Sequence, residues 1–143
     1  MKILILCTGN SCRSQMASAY LQSLDSKIAV FSAGTHPSQA VNPIAVKVMA
    51  EIGIDISHNV PKNVDLFIGQ SWDYVITVCG GANESCPVFS GDVKRRLHIG
   101  FDDPAMVTGT SAFVEGEFRR VRDEIKTYFT NLYLNELLVN ETK

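Results

Sequence analysis

The chain has 143 residues, of which 45% are apolar and 20% charged, and its formal net charge is −2. This size and balance predict one soluble globular domain over residues 1–143, and the small negative charge excludes a general attraction to nucleic acid or to an anionic membrane. The apolar run before Cys7 is too short for a signal peptide or a membrane span. We therefore expect a cytoplasmic protein, in which thiols are usually kept reduced.

Four short runs of strand-forming residues alternate with helical patterns along the chain. The strands are predicted at residues 2–6, 28–31, 74–78 and, with a weaker pattern, 95–101. Near-continuous apolar strands are typical of a parallel sheet that is buried on both faces. The helices are predicted at residues 13–24, 43–52, 63–69 and 110–138. Together they predict an α/β fold with a four-stranded parallel sheet, helices on both faces and right-handed crossovers.

Several chemically active side chains each follow a predicted strand. Cys7 follows the first strand, Cys79 the third, and Asp102 and Asp103 the fourth. In doubly wound α/β folds, ligands bind at the carboxyl ends of the strands. We therefore expect these residues to meet at one edge of the sheet, although they lie far apart in the sequence.

The segment between the first strand and the first helix is typical of an anion-binding loop. Residues 7–14 read Cys-Thr-Gly-Asn-Ser-Cys-Arg-Ser. The first turn of a helix leaves backbone N–H groups without partners and carries partial positive charge, and a tight loop entering it forms an anion nest. Gly9 permits backbone angles that other residues resist, and Asn10 tolerates a left-handed conformation. Arg13 adds a planar fork that matches two oxygens of a tetrahedral oxyanion.

Cys7 is the candidate nucleophile at the floor of this loop. Helix N-termini and cationic neighbours favour the thiolate form of cysteine, and the Ser14 hydroxyl could donate a hydrogen bond to the sulfur. The alternative is a small buried cysteine at a strand end, but the order of strand, glycine, asparagine, arginine, serine and helix favours an anion site. We interpret Cys12, in the first helical turn, as a packing residue rather than a redox group.

Two further cysteines flank a glycine-rich segment. Cys79 ends the third predicted strand, and Cys86 follows after six small or polar residues. In a reducing compartment, such cysteines suggest metal or redox chemistry more than structural bridges. The segment could fold Cys79 back onto Cys86 or let Cys79 approach Cys7, and two unrelated thiols remain an alternative. Zinc is disfavoured, because the spacing lacks paired C-x-x-C units and no histidine lies close in the sequence.

Asp103 is the candidate general acid. It precedes Pro104, and a proline holds the residue before it extended, which fixes the direction of the carboxyl group. A carboxyl group beside a thiolate and an oxyanion retains its proton more firmly, as a general acid requires. The alternative is an ordinary Asp-Asp-Pro turn. The three histidines, which we expect to be structural or exposed, are His36, His58 and His98.

The chain resembles the thioredoxin-coupled arsenate reductases, which share the fold of the low-molecular-weight tyrosine phosphatases, a flavodoxin-like architecture. The likeness extends to about residue 130 and is carried by residues 7–17, 32–34, 41–43, 100–105 and 120–125. The anion-loop motif alone marks only the broad superfamily. The pair of Cys79 and Cys86 indicates the reductases.

This resemblance implies a role for each candidate residue. Cys7 would attack arsenate, and Asp103 would protonate the departing oxygen. The oxyanion would be bound by Thr8, Gly9, Asn10, Ser11, Cys12, Arg13 and Ser14. Cys79 would then attack the Cys7–arsenic adduct and release arsenite, and Cys86 would capture Cys79 in a disulfide. Thioredoxin would reduce that disulfide as an external partner, so no bound cofactor or metal is expected.

The chain departs from the family pattern in two places. Some relatives bind potassium near the loop through oxygen ligands that include carboxylates, and a potassium site is not expected here because of the residues at the matching positions. Those residues are Asn10, Ser18, Ser32, Val60 and Lys62. Residues 131–143 form a C-terminal extension beyond the usual family end, with no predicted role.

Two other functions compete with arsenate reduction. A low-molecular-weight tyrosine phosphatase would act through a phosphocysteine at Cys7, but that branch usually carries aromatic residues just after its Asp-Pro, where this chain has Ala105, Met106 and Val107. A non-catalytic module that binds an oxyanion or a phosphopeptide would not need an intact nucleophile, arginine and acid. The residues therefore favour the reductase.

Overall fold

The chain forms four strands and four α-helices over residues 1–79 and 90–141, which are the residues that this computed structural model describes. The strands are β1 (Lys2–Cys7), β2 (Ala29–Gly34), β3 (Trp72–Thr77) and β4 (Val93–His98). The α-helices are α1 (Arg13–Leu24), α2 (Pro43–Ala50), α3 (Ser111–Leu132) and α4 (Leu138–Glu141). The shorter elements are 3₁₀ helices at Val64–Leu66 and Pro104–Met106 and a π-helical turn at Tyr133–Leu137.

The sheet is parallel throughout and has the strand order β2-β1-β3-β4. The last residue of β1, Cys7, pairs with Gly34 of β2, while Leu6 pairs with Thr77 of β3. β1 is therefore central, and the chain crosses from it to one side and later returns to the other. Its carboxyl end is the switch point at which open α/β sheets bind ligands. The predicted four-stranded parallel sheet is confirmed.

The fourth strand lies earlier in the chain than the sequence pattern predicts. The apolar residues Ile99 and Phe101 favour a strand over 95–101, whereas β4 covers Val93–His98 and both apolar residues follow it. β4 is rich in lysine and arginine and mostly exposed, as edge strands commonly are. Burial on both faces therefore holds for β1 and β3 but not for the edge strands β2 and β4.

Alternate residues of β1 divide the core into two layers. Ile3, Ile5 and Cys7 belong to the layer that also holds the buried faces of α1, α2 and α3. Leu4 and Leu6 belong to the opposite layer, which the 3₁₀ helix Val64–Leu66 covers. Helices thus lie on both faces, as predicted, and among the described residues the second face is the thinner.

The thinner layer contains the only tryptophan of the sequence. Trp72 is 2% exposed, and its ring meets the rings of Phe31 and Phe67 edge-on at 5.6 and 5.8 Å between centroids. Its indole N–H donates to the Phe67 carbonyl at 3.0 Å. The aromatic group is therefore fixed both by packing and by a satisfied polar atom.

Local signals at the helix termini explain where the longer helices begin. The side chain of Asn42 accepts from the backbone N–H of Ile44 at the start of α2, and Thr110 accepts in the same way from Phe113 at the start of α3. The inner face of α3 follows the predicted helical spacing. Its buried residues are Phe118, Val121, Ile125, Phe129 and Leu132.

The C-terminal segment continues the last helix instead of leaving the fold. Its Leu137 is fully buried, and the Tyr74 hydroxyl of β3 donates to Glu136 at 3.1 Å and accepts from Asn140 at 2.8 Å. These contacts lie near the beginnings of the strands, at the end of the sheet opposite Cys7. None of the helices in the described part of the chain has the length and apolarity to cross a membrane.

Candidate active site

The loop between β1 and α1 surrounds the sulfur of Cys7 with donors. The backbone N–H of Asn10 donates to the sulfur at 3.2 Å, and the Ser14 oxygen lies 2.9 Å from it. Ser14 itself accepts from the side-chain amide of Asn10 at 2.7 Å. The Ser14 proton is therefore available to the sulfur, which is the contact that the sequence predicts.

Asn10 holds the loop in its shape. It has a positive φ of 50°, as expected, and its side chain is fully buried. Its amide oxygen accepts from the side chain of Gln15 at 3.1 Å and from the backbone N–H of Lys62 at 2.9 Å. Because both ends of the amide are satisfied, the loop is tied to α1 on one side and to the segment near residue 60 on the other.

Gln15 is a functional neighbour that the sequence did not reveal. It is 2% exposed, and besides its bond to Asn10 it donates to the Val60 carbonyl at 3.4 Å and accepts from the Asn59 side chain at 3.2 Å. A hydrogen-bonded chain thus runs from Asn59 near the surface through Gln15, Asn10 and Ser14 to the sulfur. The one signal in the sequence is an amide in the first helical turn beside an anion loop.

The segment after β2 forms the outer wall of the loop. Its backbone N–H groups donate to the carbonyl oxygens of the loop at 2.8 to 3.3 Å. The donor and acceptor pairs are Thr35 to Cys7, His36 to Thr8, Ser38 to Gly9, and Asn42 to Ser11. Because the carbonyls point to this wall, the loop N–H groups are left for the concave side. Gly34 is required for this close approach, since a Cβ there would lie 2.4 Å from the Thr8 oxygen.

Arg13 and Asp103 face each other across the loop. The Arg13 guanidinium is almost fully buried, donates to the Phe101 carbonyl at 3.3 Å and lies 3.6 Å from Asp103 Oδ2. Asp103 caps the 3₁₀ helix Pro104–Met106, where its Oδ1 accepts from the Ala105 N–H at 3.0 Å. The neighbouring Asp102 is 76% exposed and pairs with Arg120 instead. Asp103 is therefore the carboxylate of the pair that belongs to the site.

Most of the predicted residues meet in one cavity of about 360 Å³ at the end of β1. The cavity is lined by Cys7, Thr8, Gly9, Ser11, Cys12, Arg13, His36, Ser38, Asp103 and Ala105. Asn10 and Ser14 lie behind the sulfur, fully buried. His36, expected to be structural or exposed, is exposed and lines the cavity; sequence reasoning missed it, because only the fold brings the segment after β2 to the loop.

Cys12 is a buried neutral thiol. It is 4% exposed, and its sulfur donates to Asp103 Oδ1 at 3.6 Å. Burial, and then the negative charges of Asp103 and Cys7, raise the pKa of Cys12 to about 12. It therefore stays protonated in neutral solution. Its burial agrees with a packing residue, but the packing interpretation did not include its polar contact with Asp103.

Cys79 lies beside the end of β1. It follows β3, which is hydrogen-bonded to β1, and its sulfur donates to the Leu6 carbonyl at 3.8 Å. The preceding residue, Val78, donates its N–H to the same carbonyl at 2.9 Å. Cys7 and Cys79 thus occupy neighbouring strand ends, as expected. Cys86 and the glycines after Cys79 lie outside the described residues.

A second cavity of about 270 Å³ lies next to Asn10, where the matched potassium positions come together. It is lined by Gln15, Ser18, Val30, Phe31, Ser32, His58, Asn59, Val60 and Lys62. Among the described residues, the lining contains no carboxylate, and the Asn10 oxygen already accepts from two donors. Within residues 1–79 and 90–141, no cluster of three or more His, Cys, Asp or Glu could hold a metal ion.

Comparisons with known proteins place the chain among relatives of known family. Residues 2–143 match the family described as low molecular weight phosphotyrosine protein phosphatase. An arsenate reductase from Halalkalibacterium halodurans is 49% identical over 124 residues, which are 86% of this chain and 88% of the relative. These matches confirm the resemblance predicted from the sequence.

Two solved structures are also similar. One is an arsenate reductase in the phosphate binding state, with a TM-score of 0.76 and 36% identity over 92% of this chain and 95% of the other. The second is a thioredoxin-dependent arsenate reductase from Corynebacterium glutamicum, with a TM-score of 0.62 and 25% identity over 94% of this chain and 63% of the other.

Proposed function

The chain belongs to the low molecular weight phosphotyrosine protein phosphatase family, and we propose that it is an arsenate reductase with Cys7 as its nucleophile. The observation that carries the proposal is the convergence of Cys7, Arg13 and Asp103 on one cavity at the end of β1. A cavity with inward N–H groups, a buried guanidinium and a hydrogen-bonded sulfur suits a tetrahedral oxyanion. The family membership and the relatives named arsenate reductase supply the substrate.

The first step is displacement at arsenic. Arsenate binds in the loop with its oxygens toward the N–H groups and the Arg13 fork. The Cys7 thiolate attacks arsenic, an arsenic–oxygen bond breaks, and the departing hydroxide takes the proton of Asp103 and leaves as water. The product is a Cys7–arsenic(V) adduct, and Asp103 becomes a carboxylate.

The second step reduces the arsenic. The Cys79 thiolate attacks the Cys7 sulfur and forms a disulfide, while the sulfur–arsenic bond breaks and its electron pair stays on arsenic, which leaves as arsenite. The position of Cys79 at the neighbouring strand end supports this step. Cys86 then attacks the Cys79 sulfur and releases the Cys7 thiolate.

Thioredoxin closes the cycle by reducing the Cys79–Cys86 disulfide. The similarity to a thioredoxin-dependent arsenate reductase supports this choice of reductant. Because the relay begins with three reduced thiols, it requires a reducing compartment, and we place the protein in the cytoplasm.

Arsenate turnover with thioredoxin, thioredoxin reductase and NADPH tests the proposal. Wild-type protein should oxidise NADPH steadily and only when arsenate is present. Cys7→Ser should abolish turnover while the protein keeps its melting temperature, because a hydroxyl in the same loop stays protonated and forms no thiol–arsenic bond. Absence of turnover by the wild type, or steady turnover by Cys7→Ser, would reject the mechanism.

The second candidate function is phosphatase activity through a phosphocysteine at Cys7. The family takes its description from this activity, and phosphate has the same tetrahedral shape and charge as arsenate. The residues after Pro104 supply no aromatic wall for a phosphotyrosine ring, and Met106 is 78% exposed. Hydrolysis of an aryl phosphate with a kcat/KM well above that for arsenate would favour the phosphatase.

A further inference from the structure

The two oxygens of the Asp103 carboxylate have different partners. Oδ1 accepts from the Ala105 N–H at 3.0 Å and from the Cys12 thiol at 3.6 Å. Oδ2 accepts from neither of these donors and forms an ion pair with Arg13, whose Nη2 lies 3.6 Å away. Cys12 and Arg13 are consecutive residues at the start of α1, so the first turn of this helix contacts both oxygens of the same carboxylate.

We propose that Cys12 is a positioning residue that keeps the proton of Asp103 on Oδ2, the oxygen that faces Arg13 and the oxyanion loop. This inference rests on the proposed role of Asp103 as the acid. An oxygen that already accepts two hydrogen bonds is a poor site for a proton, because the proton would have to displace a donor. The proton is therefore carried where the departing oxygen of the substrate can take it.

The chemistry of Cys12 suits this task. Its side chain is buried, so water does not compete for the contact, and its raised pKa of about 12 keeps the donor hydrogen in place at working pH. A thiol is also a weak donor. It orients the carboxyl group without stabilising the carboxylate so strongly that the acid would lose its proton early.

Among the described residues, few charged groups surround Asp103. The ionisable groups that share its cavity are Cys7, Cys12, Arg13 and His36. On the side of α3, Arg120 pairs with Asp102, Glu117 and Glu124 rather than with Asp103. Within the described part of the chain, these are the charges that can influence the titration of Asp103 when Cys12 is changed.

The direct test is titration of the Asp103 carboxyl carbon by NMR in arsenate-free protein. Cys12→Ala removes a donor from the charged form and should therefore move the titration of Asp103 to higher pH than in the wild type. Cys12→Ser keeps a donor and should leave it at or below the wild-type value. Cys12→Val, which fills the space without a donor, should behave like alanine and replaces it if alanine destabilises the fold.

Single-turnover kinetics of adduct formation give the functional readout. In the alanine or valine variant, the rate of adduct formation at neutral pH and saturating arsenate should fall several-fold. The limb of the pH profile that reports loss of the acid should move to higher pH. Cys12→Ser should restore both the rate of adduct formation and the position of this limb. A purely structural role would instead lower the melting temperature with no movement of the limb.

Two results would overturn the inference: an unchanged Asp103 titration in the alanine and valine variants, or a shift in the serine variant as large as theirs. A failure of the proposed function is seen separately. If Asp103→Asn leaves adduct formation unchanged, Asp103 is not the acid, whereas the carboxyl titration still decides whether Cys12 controls Asp103.

Discussion

The Ser14 oxygen lies 2.9 Å from the Cys7 sulfur. Ser14 cannot donate its proton to Asn10, because the Asn10 amide is itself a donor to the same oxygen. The contact therefore stabilises negative charge on the sulfur, as the proposed role of Cys7 as a nucleophile requires. Charge-assisted hydrogen bonds of this kind are about twice as strong as neutral ones.

Ser14→Ala should slow alkylation of Cys7 by iodoacetamide at neutral pH by roughly tenfold, since a hydrogen bond to a charged group is worth about 1.5–3 kcal/mol. Peptide mapping of the alkylated protein gives the rate at Cys7. Ser18→Ala is the matched control, because its hydroxyl lies on the same helix and donates to the Gln15 carbonyl at 3.2 Å rather than to the sulfur. Equal rates in both variants would contradict the role of Ser14.

Arg13→Lys should lower kcat/KM for arsenate by at least about tenfold, because a point charge does not replace a bidentate fork. The loss should appear also in the affinity for inorganic phosphate, measured by calorimetry. A kcat/KM close to the wild-type value would refute the placement of Arg13 on the oxyanion.

Variants of Cys79 and Cys86 should stop the proposed relay at different stages. After one turnover without reductant, wild-type protein should hold Cys79 bonded to Cys86. Cys86→Ser should stop as a Cys7–Cys79 disulfide, and Cys79→Ser should retain arsenic on Cys7. Mass spectrometry of quenched, alkylated peptides identifies each product. Repeated turnover by Cys86→Ser with thioredoxin as sole reductant would exclude the three-thiol relay.

Potassium should not stabilise this protein specifically. The Asn10 oxygen already accepts from two internal donors, and no described residue that lines the neighbouring cavity with Lys62 carries a carboxylate. The melting temperature and the activity should therefore be equal in potassium and sodium buffers of the same ionic strength. Lys62→Gln should change both quantities by the same amount in the two buffers. A saturable rise in melting temperature with potassium alone would disprove this.

The ion pairs of Glu51 should make stability depend on pH at the acid end. Hydrogen bonds from Arg119, and then from Arg122, lower the pKa of Glu51 from 4.5 to about 2. Because the folded pKa is depressed, the stabilisation is complete above the unfolded pKa and is lost as pH falls toward 2.

Glu51→Gln should therefore unfold at lower urea concentration than wild type at pH 7, and the two should converge as pH falls from about 4 toward 2. Asp65→Asn is the control, since Asp65 is exposed and pairs with no arginine or lysine among the described residues. A difference from wild type that stays constant down to pH 2 would contradict the assignment.

The sequence predicted those features of the fold and the site that depend on neighbouring residues in the chain. α1 covers the predicted residues 13–24 because the anion loop fixes its start, and the strand ends place Cys7 and Cys79 together through topology alone. β4 was misplaced because an edge strand needs no apolar side chains. The contacts of Asn59 with Gln15 and of Cys12 with Asp103 join residues 44 and 91 positions apart, and no local pattern encodes such pairs.

The position of Trp72 gives the chain an internal optical reporter. The buried indole packs against two phenylalanine rings on the sheet face opposite α1, and Trp72 is not among the residues that line the cavity beside Cys7. We therefore expect its fluorescence to change when that aromatic layer opens, and not when the Cys7 sulfur reacts. Tryptophan fluorescence would then report unfolding, while turnover reports activity, so the two losses can be measured separately in one sample.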